Sequence, residues 1–561
     1  MDKTVGVLGG GQLGRMLVEA ANLLEIKVNF LDSGPSPAKQ VSNHDDHIDG
    51  SFKDPAAVKQ LAAKSDVVTV EIEHVNTQIL EAIAGSTEVE PSWKTIRTIQ
   101  DKYLQKEHLK AHGVATAESL PLASPSMEEL EKACTALGLP LMLKSRREAY
   151  DGRGNFPVRT REDFKPALDA LGANQGLYAE KWANFSMELA VMVVKTKDQT
   201  LSFPTVETVH ENSILKLTYA PARGVSESIN EKAQALARKA VACFWGKGVF
   251  GVEMFLVDDD TLLINEIAPR PHNSGHYTIE ACPVSQFEAH LRAILDLPLH
   301  EEDLQLREPA IMLNILGGKE ADSHRKLAAE ALKHRRTKIH LYGKGQARKG
   351  RKMGHVTVCA PTMWEAEAIV QPLVDYIDGE NGKAIISAPR ISQRHPVVAV
   401  VMGSDSDLPV LQTGLAILEQ FDIPYTARIT SAHRTPSWMA EYASSAATKG
   451  IKCIIAAAGG AAHLPGMTAA YTPLPVIGVP VKPSIGDGMD SLLSICNMPK
   501  GVPVATVSVN NSVNAALLAA RILGVSDMGI RKNVQDYMAE SDAEVRRKDA
   551  KLVQVGARVY H

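Results

Sequence analysis

Apolar and polar positions along the chain change rhythm several times. Residues 5–8, 27–31 and 67–72 are short apolar runs, and 14–24 has the spacing of a helix. Strands alternating with helices predict βαβ units and a parallel sheet up to about residue 100. From about 105 to 300 the rhythm differs. Residues 141–144 read as a strand entering a polar loop at 145–155. Residues 188–194 read as a strand with alternation, and 251–257 with 261–267 as a hairpin around Asp258-Asp259-Asp260. Short strands follow at 311–315, 338–342 and 355–360, with a basic loop between the last two. The proline-punctuated polar run 388–396 reads as a linker. Strand–helix alternation then returns to about 530, and a charged helix over 531–551 follows.

Length and composition narrow the class. A chain of 561 residues is too long for one core and implies three or four domains. The expected divisions are 1–104, 105–300, 301–387, the linker 388–396, and 397–561. A hydrophobic share of 45% with 22% charged residues is that of an ordinary globular protein. The net charge of −4 gives no electrostatic case for nucleic acid or an anionic membrane as partner. Cys134, Cys243, Cys282, Cys359, Cys453 and Cys496 lack paired spacing. They read as buried thiols in a reducing compartment rather than a disulfide framework or zinc site. The start shows no targeting pattern, so a cytoplasmic location is expected. Residues 453–481 carry no charged side chain, but Gly459, Gly460, Pro465, Pro473, Pro475 and Pro480 break the stretch. A buried sheet with close loops is expected there rather than a membrane span.

Three groups of residues carry candidate chemistry. Gly9-Gly10-Gly11-Gln12-Leu13-Gly14 follows a strand and opens a helix, with Asp32 18 residues beyond Gly14. That spacing satisfies a dinucleotide-binding fingerprint. The same glycines also serve a βα turn that needs close backbone approach and holds another phosphate or nothing. Downstream, Glu253 and Glu266 fall on the two strands of the expected hairpin. Two carboxylates side by side in apolar strands need a cation between them. Mg²⁺ (or Mn²⁺) held together with substrate phosphates fits; a pair of solvent-facing acids is the other reading. Lys144 precedes the loop Ala149-Tyr150-Asp151-Gly152-Arg153-Gly154-Asn155, which can cover a polyphosphate. It is not a P-loop, because the Lys precedes the glycines. Glu180 and Glu188 flank the segment 181–185. They can bind adenine or ribose, although as isolated residues they would be solvated. A nicotinamide dehydrogenase would leave Glu253, Glu266 and the C-terminal third unused, so NAD is not expected.

These parts resemble the ATP-grasp superfamily, in the branch that makes the N-carboxylated form of aminoimidazole ribonucleotide. The carrying motifs are 9–16, Glu71-Ile72-Glu73-His74-Val75, 144–155, 251–255, 342–355 and the string Asn265-Glu266-Ile267-Ala268-Pro269-Arg270-Pro271-His272-Asn273-Ser274-Gly275-His276. They cover about residues 1–385. Glu148-Ala149 stands where that family has a Gly pair. The resemblance implies that Lys102, Lys144, the loop 149–155, Glu180, Ala183, Glu188, His210, Asn265 and Glu266 bind ATP. It implies that Glu253 and Glu266 hold Mg²⁺. Glu73, Tyr150, Asp151, Arg153, Arg270, His272, Asn273, Lys344 and Arg351 would surround the ribonucleotide and carboxyphosphate. Asp151 would be the base on the amine, with Arg270 and Lys344 as catalytic cations. ATP turns bicarbonate, a poor electrophile, into carboxyphosphate, and no biotin is involved.

The C-terminal region offers three loops where parallel strands should end, which is where open α/β sheets place ligands. They are Gly403-Ser404-Asp405-Ser406-Asp407, Ser431-Ala432-His433-Arg434, and the charge-free run 458–467 ending Pro465-Gly466-Met467. Their hydroxyls, backbone N–H groups, Arg434, His433 and His463 suit a phosphorylated small molecule and a moving proton. Ser404 and Asp407 also read as a helix cap, with the cap near Ser406 or Asp407. Residues 459–467 read as a cover over a small ligand, and the small-residue helix after Asn511 as a surface for packing between subunits. Residues 397–555 resemble the carboxyaminoimidazole ribonucleotide mutase/carboxylase family. That resemblance implies substrate binding by Ser404, Asp407 and Arg434, His433 as general acid/base, His463 by the imidazole, trapped CO₂ and a homo-octamer.

The implied fold is a multidomain α/β chain. A Rossmann-like pre-ATP-grasp domain, an α+β ATP-grasp domain and a small β-rich domain precede a flavodoxin-like three-layer α/β sandwich. The order of the two parts resembles fungal enzymes of purine synthesis that join both activities. A non-catalytic nucleotide-sensing scaffold is the alternative of another class, and it would leave His433 dispensable.

Overall fold

Valine-rich runs too short for helices make the first sheet. In the computed structural model, which describes residues 2–559 except 43, 45, 148–153, 173–175, 224, 226, 258–260, 362, 381–395 and 448, they pair in parallel. The spatial order is Ile48–Asp49, Lys27–Asp32, Thr4–Leu8, Val67–Val70, Glu88–Val89. Val5, Val7, Val28, Phe30, Val67 and Val68 are fully buried, as strands covered on both faces must be. The chain divides into two units, one over most of 1–384 and one over most of 385–561.

The first unit continues into two antiparallel sheets. The smaller runs Ser119–Leu122, Leu177–Lys181, Leu141–Ser145, Asn155–Val158, and its register sets Lys144 beside Asn155. The larger runs Leu262–Ala268, Gly248–Leu256, Met187–Lys195, Val206–Glu211, Ile214–Ala220, Ala310–Leu316, Lys352–Cys359, Thr337–Leu341, with Thr200–Ser202 beside Met187–Lys195. The strands after residue 310 therefore extend the same sheet through Ile214–Ala220. The expected alternation at 188–194 is absent. Leu189 to Val194 are all buried because this strand lies inside the sheet with helix Gln286–Ile294 against it. The turn at 258–260 lies outside the described residues, but its two strands pair antiparallel as expected.

The second unit is one parallel sheet in the order Tyr425–Ile429, Val398–Met402, Cys453–Gly459, Val476–Val481, Ala505–Thr506. The chain reverses its direction of travel across the sheet at Val398–Met402, which creates a switch point there. Two buried clusters form the cores. The charge-free stretch is a buried strand, the helix Leu464–Tyr471 and a second buried strand. Among the described residues no helix is long and apolar enough to cross a membrane.

Four local expectations need correction. Helix Ser512–Leu523 buries Ala515, Ala516, Ala519 and Ala520 in its own unit's core, against helix Leu408–Gln420. A Cβ at Gly414 would strike the Ser512 backbone, so the small residues serve this internal crossing. Residues 464–467 are the first turn of helix Leu464–Tyr471, started by Pro465, and not part of a loop cover. The last helix is Met528–Val555, which starts earlier because Asp527 caps it through the N–H groups of Gly529 and Ile530. Of the six cysteines, all unpaired, Cys496 is exposed rather than buried.

Candidate functional sites

The hairpin register decides the first site. Glu253 and Glu266 are direct cross-strand partners, so their carboxylates share one face. Lys102 Nζ lies 2.9 Å from Glu266. Burial works against ionising both acids. Lys102 overcomes it at Glu266 and holds that carboxyl below the usual range. Among the described residues Glu253 makes no ion pair with a Lys or Arg: burial, then the Glu266 charge, push it up to about 7, with His210 and Lys102 opposing. Glu188 and His210 pair across neighbouring strands on the same sheet, and burial of His210 is outweighed by Glu188, so its pKa rises.

Glu180 is not solvated. It is buried between Lys144 Nζ at 2.8 Å and Lys106 Nζ at 2.7 Å. Burial opposes its ionisation, but the two ammonium groups hold its pKa low. Lys106 escaped the sequence reading. Its signal was there: it lies one turn after Lys102 on helix Lys102–Ala111, so both face the same way. Lys106 also donates to the Asn265 carbonyl at 3.3 Å and to Thr116 at 3.0 Å. Gly154 and Asn155 lie at the start of the strand beside Lys144, and Ala183 in the irregular segment between two strands. Ala149, Tyr150, Asp151, Gly152 and Arg153, and the Glu148-Ala149 departure, lie outside the described residues.

A second cluster adjoins the first through Lys102, whose charge also acts on Glu73. Arg270 Nε donates to Glu73 at 2.6 Å, and both are largely buried. Burial disfavours the Glu73 carboxylate, but Arg270 and Lys102 hold its pKa far below the usual range. His272 stands beside them, its Nδ1 2.8 Å from Ser274 Oγ and 3.7 Å from Glu253. Burial and then Arg270 push it down to about 3, so its ring is neutral. Lys344 donates to Gln12 at 2.5 Å and to the Lys352 carbonyl at 2.8 Å. Arg351 is exposed beside it and donates to the Lys344 carbonyl at 3.4 Å. Asn273 differs from its expected part. It is buried and exchanges two amide hydrogen bonds with Asn314, of 3.0 and 2.7 Å, which fix the turn after His272.

The glycine motif has an internal occupant. Gly11 and Leu13 donate their N–H groups to Glu71 at 2.5 and 2.9 Å, and Gly10 donates to Asp32 at 2.9 Å. A Cβ on Gly11 would meet the Glu71 carboxylate. The protein's own acids thus occupy the place where a dinucleotide would set its pyrophosphate and ribose. Glu71 and Glu73, two apart at a strand end, serve this turn and Arg270 respectively.

In the second unit the loops meet at the switch point. Ser404 caps the turn Asp405–Asp407, and Asp407 accepts the Ser404 N–H at 3.2 Å in a capping box. Ser404 thus caps the turn, and Asp407 stands at the N-cap position of helix Leu408–Gln420, as expected. Burial raises the Asp407 pKa, with the Ser404 and Gly403 N–H groups opposing. Arg434 donates to the Gly403 carbonyl at 3.0 Å, which joins two of the loops. His433 Nε2 lies 2.8 Å from His463 Nδ1, with the rings at 74°, and both imidazoles are exposed. This joins the third loop. Ser491, fully buried, accepts the Gly460 N–H at 2.8 Å and donates to the Val481 carbonyl at 2.8 Å, pinning that loop to the sheet.

Known proteins match the whole chain. Residues 1–100 match the ribonucleotide synthetase preATP-grasp domain, 107–287 the ATP-grasp domain, 310–369 the phosphoribosylaminoimidazole carboxylase C-terminal domain, and 397–544 the AIR carboxylase family. A phosphoribosylaminoimidazole carboxylase of Ogataea methanolica is 55% identical over 535 residues, 94% of this chain and 98% of that one. One from Saccharomyces cerevisiae is 50% identical over 573 residues, 100% of this chain and 99% of that one. The crystal structure of N5-carboxyaminoimidazole synthase from Aspergillus clavatus, in complex with ADP and 5-aminoimidazole ribonucleotide, is 60% identical. It covers 67% of this chain and 99% of its own, with a TM-score of 0.66. With an ATP-grasp synthase part followed by an AIR carboxylase part, the chain belongs to the phosphoribosylaminoimidazole carboxylase family.

Proposed function

We propose that the first unit uses ATP and bicarbonate to carboxylate the amine of 5-aminoimidazole ribonucleotide. The second unit then moves the carboxyl to ring carbon 4, giving 4-carboxy-5-aminoimidazole ribonucleotide. The contrast between the two sites carries this reading: one is lined with buried acids and lysines, the other presents two imidazoles at a switch point with Arg434 as fixed cation.

Glu180, Glu188, Lys144, Lys102, His210, Asn265 and the strand start at Gly154-Asn155 hold ATP in this reading. The site's acids offer oxygen donors only, and Glu253 lacks a cation of its own, so Glu253 and Glu266 fit Mg²⁺ or Mn²⁺. Such an ion, when bound, neutralises charge on the transferring phosphoryl group. Arg270 and Lys344 stabilise charge on carboxyphosphate and the ribonucleotide phosphate, with Arg351, His272 and Glu73 around the substrate. Asp151 takes the proton from the amine, and Tyr150 and Arg153 bind the ribonucleotide; the family resemblance supports these three. Asn273 acts through the turn it fixes. The ADP and 5-aminoimidazole ribonucleotide bound by the Aspergillus protein support the same assignment.

In the second unit Ser404, Asp407 and Arg434 hold the phosphate end. The carbamate releases CO₂, the ring carbon attacks it, and His433 takes the proton that carbon loses. His463, hydrogen-bonded to His433, receives or returns that proton beside the imidazole. The reading includes the domain divisions at 104, 300, 387 and 396, a cytoplasmic location and a homo-octamer built on the second unit. Exposed Trp438, Tyr471, Ile485, Met489 and Leu493 support an assembly surface there.

A split between two variants tests the reading. His433→Asn is expected to keep ribonucleotide-dependent ATP hydrolysis and to lose ring carboxylation by about 10²–10⁴-fold. Glu253→Gln is expected to lose ATP hydrolysis and keep conversion of supplied carbamate. Undiminished ring carboxylation by His433→Asn removes its assigned role and favours the nucleotide-sensing scaffold.

A further inference from the structure

Two histidines and a cysteine meet on the first unit, outside the cluster of acids and lysines. His108 lies on the last turn of helix Lys102–Ala111, and His112 is the residue that ends it. Being four apart, they share one face, with ring centroids 4.4 Å apart. Cys243 follows helix Glu227–Ala242. One nitrogen of each imidazole and the Cys243 sulfur all lie within 4.8 Å of one another.

The hydrogen bonds around the rings leave lone pairs free. His108 Nε2 lies 3.1 Å from the Cys243 carbonyl, and His112 Nδ1 2.8 Å from the His108 carbonyl. A carbonyl oxygen only accepts, so these nitrogens carry the ring protons. The remaining nitrogen, Nδ1 of His108 and Nε2 of His112, keeps its lone pair. Metal-binding histidines have this tautomer, the second nitrogen donating to a backbone carbonyl, so an ion would be taken by Nδ1 of His108 and Nε2 of His112. The thiol donates to the Ala240 carbonyl at 2.9 Å, which leaves its sulfur able to bind a cation once the proton departs.

We propose that His108, His112 and Cys243 form a site for one divalent transition ion of the zinc class. Two imidazoles and a thiolate are borderline and soft donors, which select Zn²⁺ over the Mg²⁺ suited to Glu253 and Glu266. Binding forms two metal–nitrogen bonds and one metal–sulfur bond, and the thiol proton goes to solvent. Tetrahedral bonds of about 2.0–2.3 Å set donors roughly 3.3–3.8 Å apart, so the side chains close by about 1 Å. His112 is exposed, which gives the ion a path in and leaves water a fourth position.

The site also joins two functional elements. Helix Lys102–Ala111 carries Lys102 and Lys106 at the nucleotide cluster. The segment after Cys243 leads into strand Gly248–Leu256, which carries Glu253. A bound ion would clamp one to the other and stabilise both.

Co²⁺ added to the chelator-stripped full chain, with Mg²⁺ in excess, tests the site. One equivalent should give the visible absorption of tetrahedral Co²⁺ with a sulfur-to-metal charge-transfer band. Cys243→Ser should lose that band and Cys496→Ser should keep it. His112→Ala, an exposed change that spares the fold, should weaken binding at least tenfold. Zn²⁺ should raise the melting temperature of the wild type and not of Cys243→Ser. No charge-transfer band in the wild type, or a band that survives Cys243→Ser, overturns the proposal. Glu280, His340 and His355 form the other metal-like group among the described residues. An ion held there would give no thiolate band, and Co²⁺ binding of only that kind also overturns it.

Discussion

Glu71→Ala asks whether the glycine motif truly needs an internal anion. The carboxylate accepts from Gly11 at 2.5 Å and Leu13 at 2.9 Å, and the Gly14 N–H also acts on it. Bonds to a charged acceptor contribute roughly 1.5–3 kcal/mol each. The sum is reduced because burial raises the Glu71 pKa more than those N–H groups lower it. Water entering the space left by the side chain recovers part of the rest. A net loss of about 2–4 kcal/mol remains, a fall of about 2–5 °C in the melting temperature of a unit this large. The same change empties an anion cradle at the start of helix Gln12–Leu23. Inorganic phosphate should therefore stabilise the variant beyond its effect on the wild type. Differential scanning calorimetry with and without phosphate reads both effects. A variant within about 0.5 kcal/mol of the wild type, or phosphate effects equal in the two proteins, would refute the reasoning.

Glu90 gives a pH prediction. Burial, opposed by the Lys247 N–H, pushes its carboxyl up to about 7, so the folded state favours the protonated form. The stability this confers is present below about pH 4.5 and is lost as pH rises through 7, a change of about 3 kcal/mol. Glu90→Gln should match the wild type in acid and melt higher at pH 8; a lower melting temperature at pH 8 would contradict it. At Glu180 two lysines surround one acid. Lys106→Met leaves a neutral Glu180–Lys144 pair and should cost no more than about 1–2 kcal/mol, whereas Glu180→Gln strands two buried lysines and should cost about 3–5 kcal/mol. Urea unfolding of both variants checks the order, and the reverse order rules the argument out.

Sequence carried the architecture because its signals are local. The apolar runs of both parallel sheets, the hairpin around 258–260 and the loops after parallel strands each declare themselves within ten or so residues. Glu253 and Glu266 became a pair through the same short-range logic, and the register makes them direct partners. What escaped the sequence depends on contacts far apart along the chain. Glu180 is assigned to ATP through the resemblance and reads as solvated only in isolation, because nothing near it in sequence reveals Lys106 and Lys144 closing on it. Asn273 looked like a substrate ligand because Asn314, which takes up its amide, is 41 residues away. The small residues after Asn511 were assigned to an outer surface because their partner, Gly414, is about 100 residues earlier. Cys243 carried no metal signal because its two histidines lie on a different helix.

The two sites answer opposite physical demands, and their electrostatics follow. Phosphoryl transfer builds charge, so the first site gathers Lys102, Lys144, Arg270 and paired acids in a sheltered space where each charge acts strongly. The cost is visible at Glu253, which burial and Glu266 push up to about 7 against the pull of His210 and Lys102. Holding CO₂, as proposed for the second site, would set the reverse demand, because a neutral, weakly bound molecule gains nothing from a nearby carboxylate. The third loop of the second site accordingly carries Gly459, Gly460 and Ala461, with two imidazoles 2.8 Å apart and no acid in that run. A proton can pass between two imidazoles without creating a buried negative charge. A carboxylate at His463 would fix a proton on His433 instead and raise its pKa, leaving it a poor acceptor from the ring carbon. On the roles proposed above, the His–His pair, rather than His433 alone, is the feature that would suit this unit to carboxyl transfer.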